Sequence, residues 1–312
     1  MEAANESWVL RFFGVKEAEV CRTASGLAGR YGLTQVESRS QGAETLLALT
    51  APASALHKAE GRLRRTFRAG LYGTGEQTLA DCAAQALVRH DRLLVCGDKL
   101  ALELLAPRLE GREGAEKVFD FGAGSCEDPD VCARIEARVL RRRGKQQRAD
   151  NPVEQHLRRL RAALWVTKAD LVAGALQLEE RTLVAVAGRK GSWLYLAGSA
   201  DNPALWLLDL VRRAADGSPQ APEVRFVRRG RQPDLSLWGA QLVPGVQEEP
   251  ALPLVRRRRW PVRLALVLGV VVLAGLAAAL RVTDGDLAAL PGLVRNLMEG
   301  SQLPAHSGAA LL

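Results

Sequence analysis

Seventeen consecutive residues, 264–280, carry only Leu, Val, Ala and Gly side chains, and no other stretch restricts the chain so sharply. As an α-helix this run rises roughly 26 Å, near the lower limit for a bilayer core. A buried helix of a soluble protein usually keeps a polar stripe, because a globular core rarely surrounds a helix on every side. The run has none, so a transmembrane helix is expected within 261–281. Arg256, Arg257, Arg258, Arg259 and Arg263 precede or open it, whereas Arg281 to Leu312 holds two arginines against Asp284, Asp286 and Glu299. Positive-inside bias then keeps the preceding residues in the cytoplasm and puts a tail, 282–312, outside. The expected location is the cell membrane, single-pass, with the lipid bilayer as first partner. The N-terminus has no basic region followed by an apolar run, so no cleaved signal peptide is expected.

Composition bounds the rest. Apolar content of 47% with 25% charged residues is that of a globular chain. Roughly 260 residues before the span allow one large or two small domains. Cys21, Cys82, Cys96, Cys126 and Cys132 form no CxxC pair, so reduced thiols are expected and no metal or cofactor. His57, His90 and His156 fall on predicted helices, where surface or cap roles are the plain reading. The net charge of +8 is concentrated. Between Cys132 and Trp165 ten basic residues, among them Arg138, Arg141, Arg142, Arg143, Arg158, Arg159 and Arg161, stand against three acidic ones. A solvated helix face is the plain reading, and anionic lipid headgroups are the nearest partner. Nucleic acid is disfavoured, because only Trp165 accompanies the arginines. A protein partner or homo-oligomer stays open.

Along the chain the first pattern is β-α-β-β-α. Residues 7–15 read as a strand, 16–30 as a helix, 33–39 and 44–50 as strands, and Pro52 opens a second helix. Gly26-Leu27-Ala28-Gly29 matches a GxxG clamp in spacing but lies inside the first helix, where small residues packing on a sheet are the simpler explanation. Residues 70–75 read as a Gly-rich hinge. Thr78 then N-caps a helix. Residues 92–96 are an apolar strand, 100–109 a helix and 117–121 a further strand. Two basic helices follow at 130–143 and 152–165. Strands at 170–178, 182–187 and 192–197 precede a helix opened by Asn202-Pro203. Beyond Asp216 the chain reads as a Pro- and Arg-rich tether with one strand at 223–227.

This order, with LYGTGEQTLADCAAQALVRHDRLLVCGD and RTLVAVAGRKGSWLYLAGSADNPALWLLDLVRRA, resembles the CinA family over about 7–215. It is similar to the family's C-terminal, nicotinamide-nucleotide amidase domain preceded by a small KH-like domain. The resemblance does not extend to a molybdopterin-binding-type domain. It implies an α/β fold class: a KH-like βαββα domain over 1–75 and an α/β/α amidase-like domain over 76–217. A basic, Pro-rich linker over 218–260 and a single C-terminal transmembrane helix complete the expected organisation.

The departures from the family pattern bear on activity. There, the first amidase strand runs into a Glu-Ser-(Cys/Ser)-Thr-Gly-Gly turn, whose hydroxyl is a candidate nucleophile at a helix N-terminus that receives an anion. Here Leu93-Leu94-Val95-Cys96 runs into Gly97-Asp98-Lys99-Leu100-Ala101-Leu102, with Asp98 about where the Ser stands. The next stretch, Phe121-Gly122-Ala123-Gly124-Ser125-Cys126-Glu127-Asp128, keeps glycines but lacks the family's Tyr and Lys. The Gly/Pro-rich substrate loop is missing before Thr182. Asp98, Lys99, Ser125 and Cys126 are thus vestigial site candidates, and Gly97, Asp98, Lys99, Gly122, Gly124 and Ser125 candidate ligand contacts. The expected function is a membrane-anchored, catalytically inactive binding or scaffolding module. The alternatives are a diverged amidohydrolase on a nicotinamide-nucleotide-like substrate and a membrane-associated nucleic-acid binder.

Overall fold

The computed structural model describes residues 5–121, 127–143 and 151–229. The first sheet has the order β2-β3-β1-β4 and is antiparallel throughout, built from β1 (Asn5–Phe13), β2 (Gln35–Gln41), β3 (Glu44–Pro52) and β4 (Leu71–Thr74). Two helices, α1 (Glu17–Tyr31) and α2 (Ala53–Phe67), cover one face through Val20, Ala24, Leu27, Leu56, Ala59 and Leu63. Burial alternates strictly along β3, the period of a sheet with one face in a core. α1 ends at Gly32 in the left-handed region (φ 69°), where a side chain would be strained. Gly26 and Gly29 are exposed with open space around them, so close helix packing is not their role.

The expected hinge is instead structure. After a 3-10 turn, Arg68–Gly70, the chain enters β4 and pairs with β1. Gly-rich sequence masks this strand because its short, buried backbone lies against α3 (Leu79–Arg89) rather than presenting alternating side chains. A Cβ on Gly73 would come within 3.3 Å of Gln77 and 3.4 Å of Cys82. Thr78 caps α3 as expected, in a capping box with Asp81.

The second sheet has the order β5-β6-β7-β8-β9, with β5 (Leu94–Cys96), β6 (Leu171–Leu178), β7 (Arg181–Ala187), β8 (Gly191–Ala197) and β9 (Arg225–Arg228). β5 and β6 are parallel and the other neighbours antiparallel. Alternate residues face two cores. Leu94, Cys96, Leu171, Ala173, Val184 and Val186 meet α3, α4 (Lys99–Leu109) and α8 (Pro203–Asp216). Val95, Val172, Leu183, Ala185 and Ala187 meet the other helical layer, α6 (Pro129–Arg143) and α7 (Pro152–Val166). The strand expected at 117–121 is a single turn, α5 (Ala115–Val118), and then one parallel bridge between Phe119 and Leu94. Past α8, β9 pairs with β8 and Ala221 is buried, so the chain stays on the sheet well into the expected tether.

The fold class needs a correction. Among the described residues no helix is long and apolar enough to cross a membrane, and the fold they define is mixed α/β without a spanning helix. The apolar run 264–280 and its arginine collar lie outside the described residues.

The two sheets share structure through α8. β1 sends Phe12 into the α1/α2 core and Phe13 into the α3/α8 core. Phe13 meets Trp206 edge-on at 5.0 Å, and Trp206 stacks on Tyr195 at 3.6 Å. Beside them Asp209, 1% exposed, accepts from Arg212 at 2.5 Å and from Arg213 at 2.6 Å. Burial pulls the Arg213 guanidinium below its ordinary value while Asp209 holds it charged. Arg212 also donates to Ala69 O at 2.6 Å, and Arg213 to Phe13 O at 2.9 Å. Removing the carboxylate strands two buried cations, so Asp209→Ala is expected to cost about 3–5 kcal/mol, read by urea unfolding. A cost near that of an exposed alanine substitution would show the clamp to be dispensable.

Close packing sets the other helical layer. α7 approaches β6 over Gly174, where a Cβ would come within 2.7 Å of Leu160 Cδ1 and 2.8 Å of His156 Nε2. Gly174→Val should therefore destabilise by about 1–3 kcal/mol or more through overpacking, whereas Gly29→Ala, in open space, should not destabilise at all. Equal melting temperatures for both variants would contradict this packing.

Candidate functional site

β5 ends in Gly97, and the chain turns at Asp98 into α4. Gly97 is buried, donates its N–H to Ala173 O at 2.8 Å, and lies tight against Leu160 and Val172. Asp98 is the N-cap of α4. Its Oδ1 accepts from Ala101 N at 2.8 Å, and both oxygens accept from Ala175 N of β6, at 3.3 and 3.1 Å. The carboxylate therefore fills the helix end that would otherwise present open N–H groups to an anion. Lys99, the next residue, is 78% exposed and among the described residues reaches only Glu103, at 4.0 Å. Gly122, Gly124, Ser125 and Cys126 lie outside the described residues.

His156 was not expected here. It is 7% exposed, with Nε2 at 3.9 Å from Asp98 Oδ2 and no hydrogen-bond partner among the described residues. The sequence carried a signal for this, since Val153, His156, Leu157 and Leu160 fall on one face of α7. Of the other histidines, His57 packs edge-on against Trp8 at 4.6 Å, and His90 caps α3 beside Asp216 at 3.3 Å. The basic stretch is also partly turned inward. Arg159 donates Nε to Gly97 O at 3.1 Å and meets Glu136 at 3.6 Å. Arg158 holds Glu154 at 2.7 Å, Arg161 is half-buried, and Arg138 lies 4.9 Å over the Trp165 ring. The side chains of Arg141, Arg142 and Arg143 lie outside the described residues.

Electrostatically, burial pushes Asp98 up to about 6, against the opposing backbone donors Ala101 and Ala175 and the charge of Arg159. Burial, helped by Arg159, pulls His156 down to about 4. Near neutral pH the pair is thus a carboxylate facing a neutral imidazole, not a salt bridge. Alongside lies a cavity of about 430 Å³ whose walls include Glu136, Leu140, His156, Arg159 and Leu176. Where the family pattern has a long loop, β6 and β7 join by the two-residue turn Glu179-Glu180, since Leu178 pairs with Arg181.

No protein-family model matches the chain. Proteins of Clostridium botulinum, strains ATCC 19397 and Loch Maree, named as competence-damage inducible, are 29% identical over 125 residues. The match covers 38% of this chain and 31% of each relative, so the chain spans about a third of the length of the curated relatives it matches. A CinA-superfamily protein from Klebsiella pneumoniae is 12% identical with TM-score 0.32, covering 45% of this chain and 94% of that one. The competence/damage inducible protein CihA from Agrobacterium tumefaciens is 12% identical with TM-score 0.31, over 45% and 94%. The names of the sequence relatives support the CinA resemblance, while the superpositions are too loose to carry residue roles across.

The Asp98 environment has a measurable pH signature. Its folded pKa lies above the ordinary 3.8, so its contribution to stability is full below that value and is lost as pH rises through about 6. His156 behaves oppositely, its contribution being present above 6.5 and lost as pH falls through about 4. Asp98→Asn removes only the first. Subtracting its unfolding free energy from that of the native chain should therefore give a difference that falls by up to about 3 kcal/mol between pH 4 and 6. A difference that stays flat would show that Asp98 is not held in this desolvated position.

Proposed function

We propose that this chain is a CinA-like binding module that has lost amide hydrolysis at the end of β5. One observation carries the reading. Where the resemblance leads one to expect a hydroxyl and an open anion seat, the Asp98 carboxylate closes on Ala101 N–H and on Ala175 N–H. A phosphate-bearing nicotinamide nucleotide would meet a like charge there instead of a helix dipole. Lys99, exposed beside it, contacts no group of the site among the described residues. The neighbouring cavity, walled by Leu140 and Leu176 together with His156, suits retention of a small ligand.

A diverged amidohydrolase is the second reading, favoured by one fact: a carboxylate titrating near 6 is what a general base requires. Against it, both Asp98 oxygens already accept backbone N–H groups. The full-length chain incubated with nicotinamide mononucleotide decides between them. Ammonia release should match that of the isosteric Asp98→Asn variant, with nicotinamide mononucleotide recovered intact. Release that exceeds the variant's and scales with protein concentration would overturn the binding-module reading.

A further inference from the structure

A second, larger cavity of about 780 Å³ opens between the end of α2, the 3-10 turn, β4, α3 and the end of α8. It shares no lining residue with the Asp98 cavity. Five arginines line it, Arg64, Arg65, Arg68, Arg89 and Arg212, against the single carboxylate Asp216. Arg212 is committed to Asp209 and Ala69 O, but the other four guanidinium groups are exposed. Arg64 holds Glu60 at 2.8 Å and Arg89 holds Asp216 at 3.5 Å. Exposed pairs of this kind are weak and yield to a more highly charged anion. Arg68 adds an independent sign. Its φ of 47° with ψ of −119° is a backbone state that glycine accepts and a side chain resists, yet arginine occupies it on the cavity wall.

The shape and chemistry narrow the ligand. The four guanidinium groups come from two directions, the α2 end with its turn and the α3 end, and they converge on a concavity rather than lining one helix. Planar guanidinium forks pair with phosphate oxygens bidentately, and several of them suit an anion with several charges close together. A single nucleic-acid strand would call for aromatic rings on which bases stack. The aromatic in the lining, Tyr72, is buried with its hydroxyl donated to Glu44. The volume falls within the range of small-molecule sites, about 300–1,000 Å³.

We propose that this cavity binds a short chain of linked phosphates, free or borne by a nucleoside, through Arg64, Arg65, Arg68 and Arg89. The inference is independent of whether the Asp98 end turns over a substrate. Titration calorimetry of the full-length chain at low salt, with inorganic triphosphate and with adenosine triphosphate, tests it. Saturable binding of one equivalent is expected. Arg68→Gln/Arg89→Gln should weaken it by at least about tenfold, as loss of two charge-assisted contacts implies, while Arg68→Lys/Arg89→Lys retains part of it. Arg181→Gln/Lys190→Gln, which removes the same charge from exposed positions outside the cavity, should leave the affinity nearly unchanged. If the double glutamine variant does not fold, Arg89→Gln alone carries the same test. Tighter binding of adenosine triphosphate than of triphosphate assigns a nucleotide, and equal affinities assign the phosphate chain itself. Absence of binding by both probes, or equal weakening by the distant pair, overturns the proposal.

Discussion

A carboxylate with almost no access to water, Asp209, governs how this protein is put together. Burying an ion is costly unless its charge and lone pairs are satisfied, and here two guanidinium groups do this from one and the same helix. Those guanidinium groups have donors left over, and they spend them on backbone carbonyls far away in sequence: Phe13 at the end of β1 and Ala69 in the turn before β4. Arg213 also reaches Pro219 O, which fixes the start of the segment leading to β9. One polar cluster on α8 therefore sets where the first sheet, the second sheet and the strap to its last strand stand. Around it, Phe13, Trp206 and Tyr195 exclude water, which keeps the charge-assisted bonds strong.

The same economy shapes the candidate site. α7 lies close to β6 because Gly97 and Gly174 leave room for Leu160 and His156. That approach carries His156 under Asp98 and brings Arg159 onto Gly97 O. An aspartate at this N-cap then has nowhere better to direct its oxygens than the first turn of α4 and the neighbouring strand. The arrangement is structurally sufficient in itself, and it takes up the Ala101 and Ala175 N–H groups and puts a negative charge where an anionic ligand would sit. The arginine-lined cavity by the 3-10 turn is the reverse case, with exposed guanidinium groups in weak surface pairs with Glu60 and Asp216 or bonded to Gly61 O.

Regular elements were largely legible from the chain because they rest on local periodicity. The strands β3 and β7, the Thr78 cap of α3 and the Asn202 start of α8 all appear in the expected places. β4 was not legible, since a strand of LYGT has no alternation to read and owes its existence to pairing with β1. The stretch at 117–121 has the composition of a strand, but among the described residues just one bridge forms, between Phe119 and Leu94, because α5 takes up the residues before it. The resemblance points to Asp98, whereas the place of His156 is not written in its neighbours along the sequence, because its surroundings come from across the α7–β6 contact.

By itself the sequence determined the βαββα pattern, the helix ends and an aspartate beside Gly97 where the resemblance leads one to expect a hydroxyl, since each depends on residues within one or two turns. It also placed two clusters of arginine. Only the tertiary structure decided what individual arginines do, in and outside those clusters: Arg159 became a positioning group, Arg212 and Arg213 a buried clamp, and Arg64, Arg65, Arg68 and Arg89 the wall of a cavity. The reason is physical. An arginine's role follows from how much water and which carbonyls or carboxylates surround it, and those neighbours arrive from other parts of the chain.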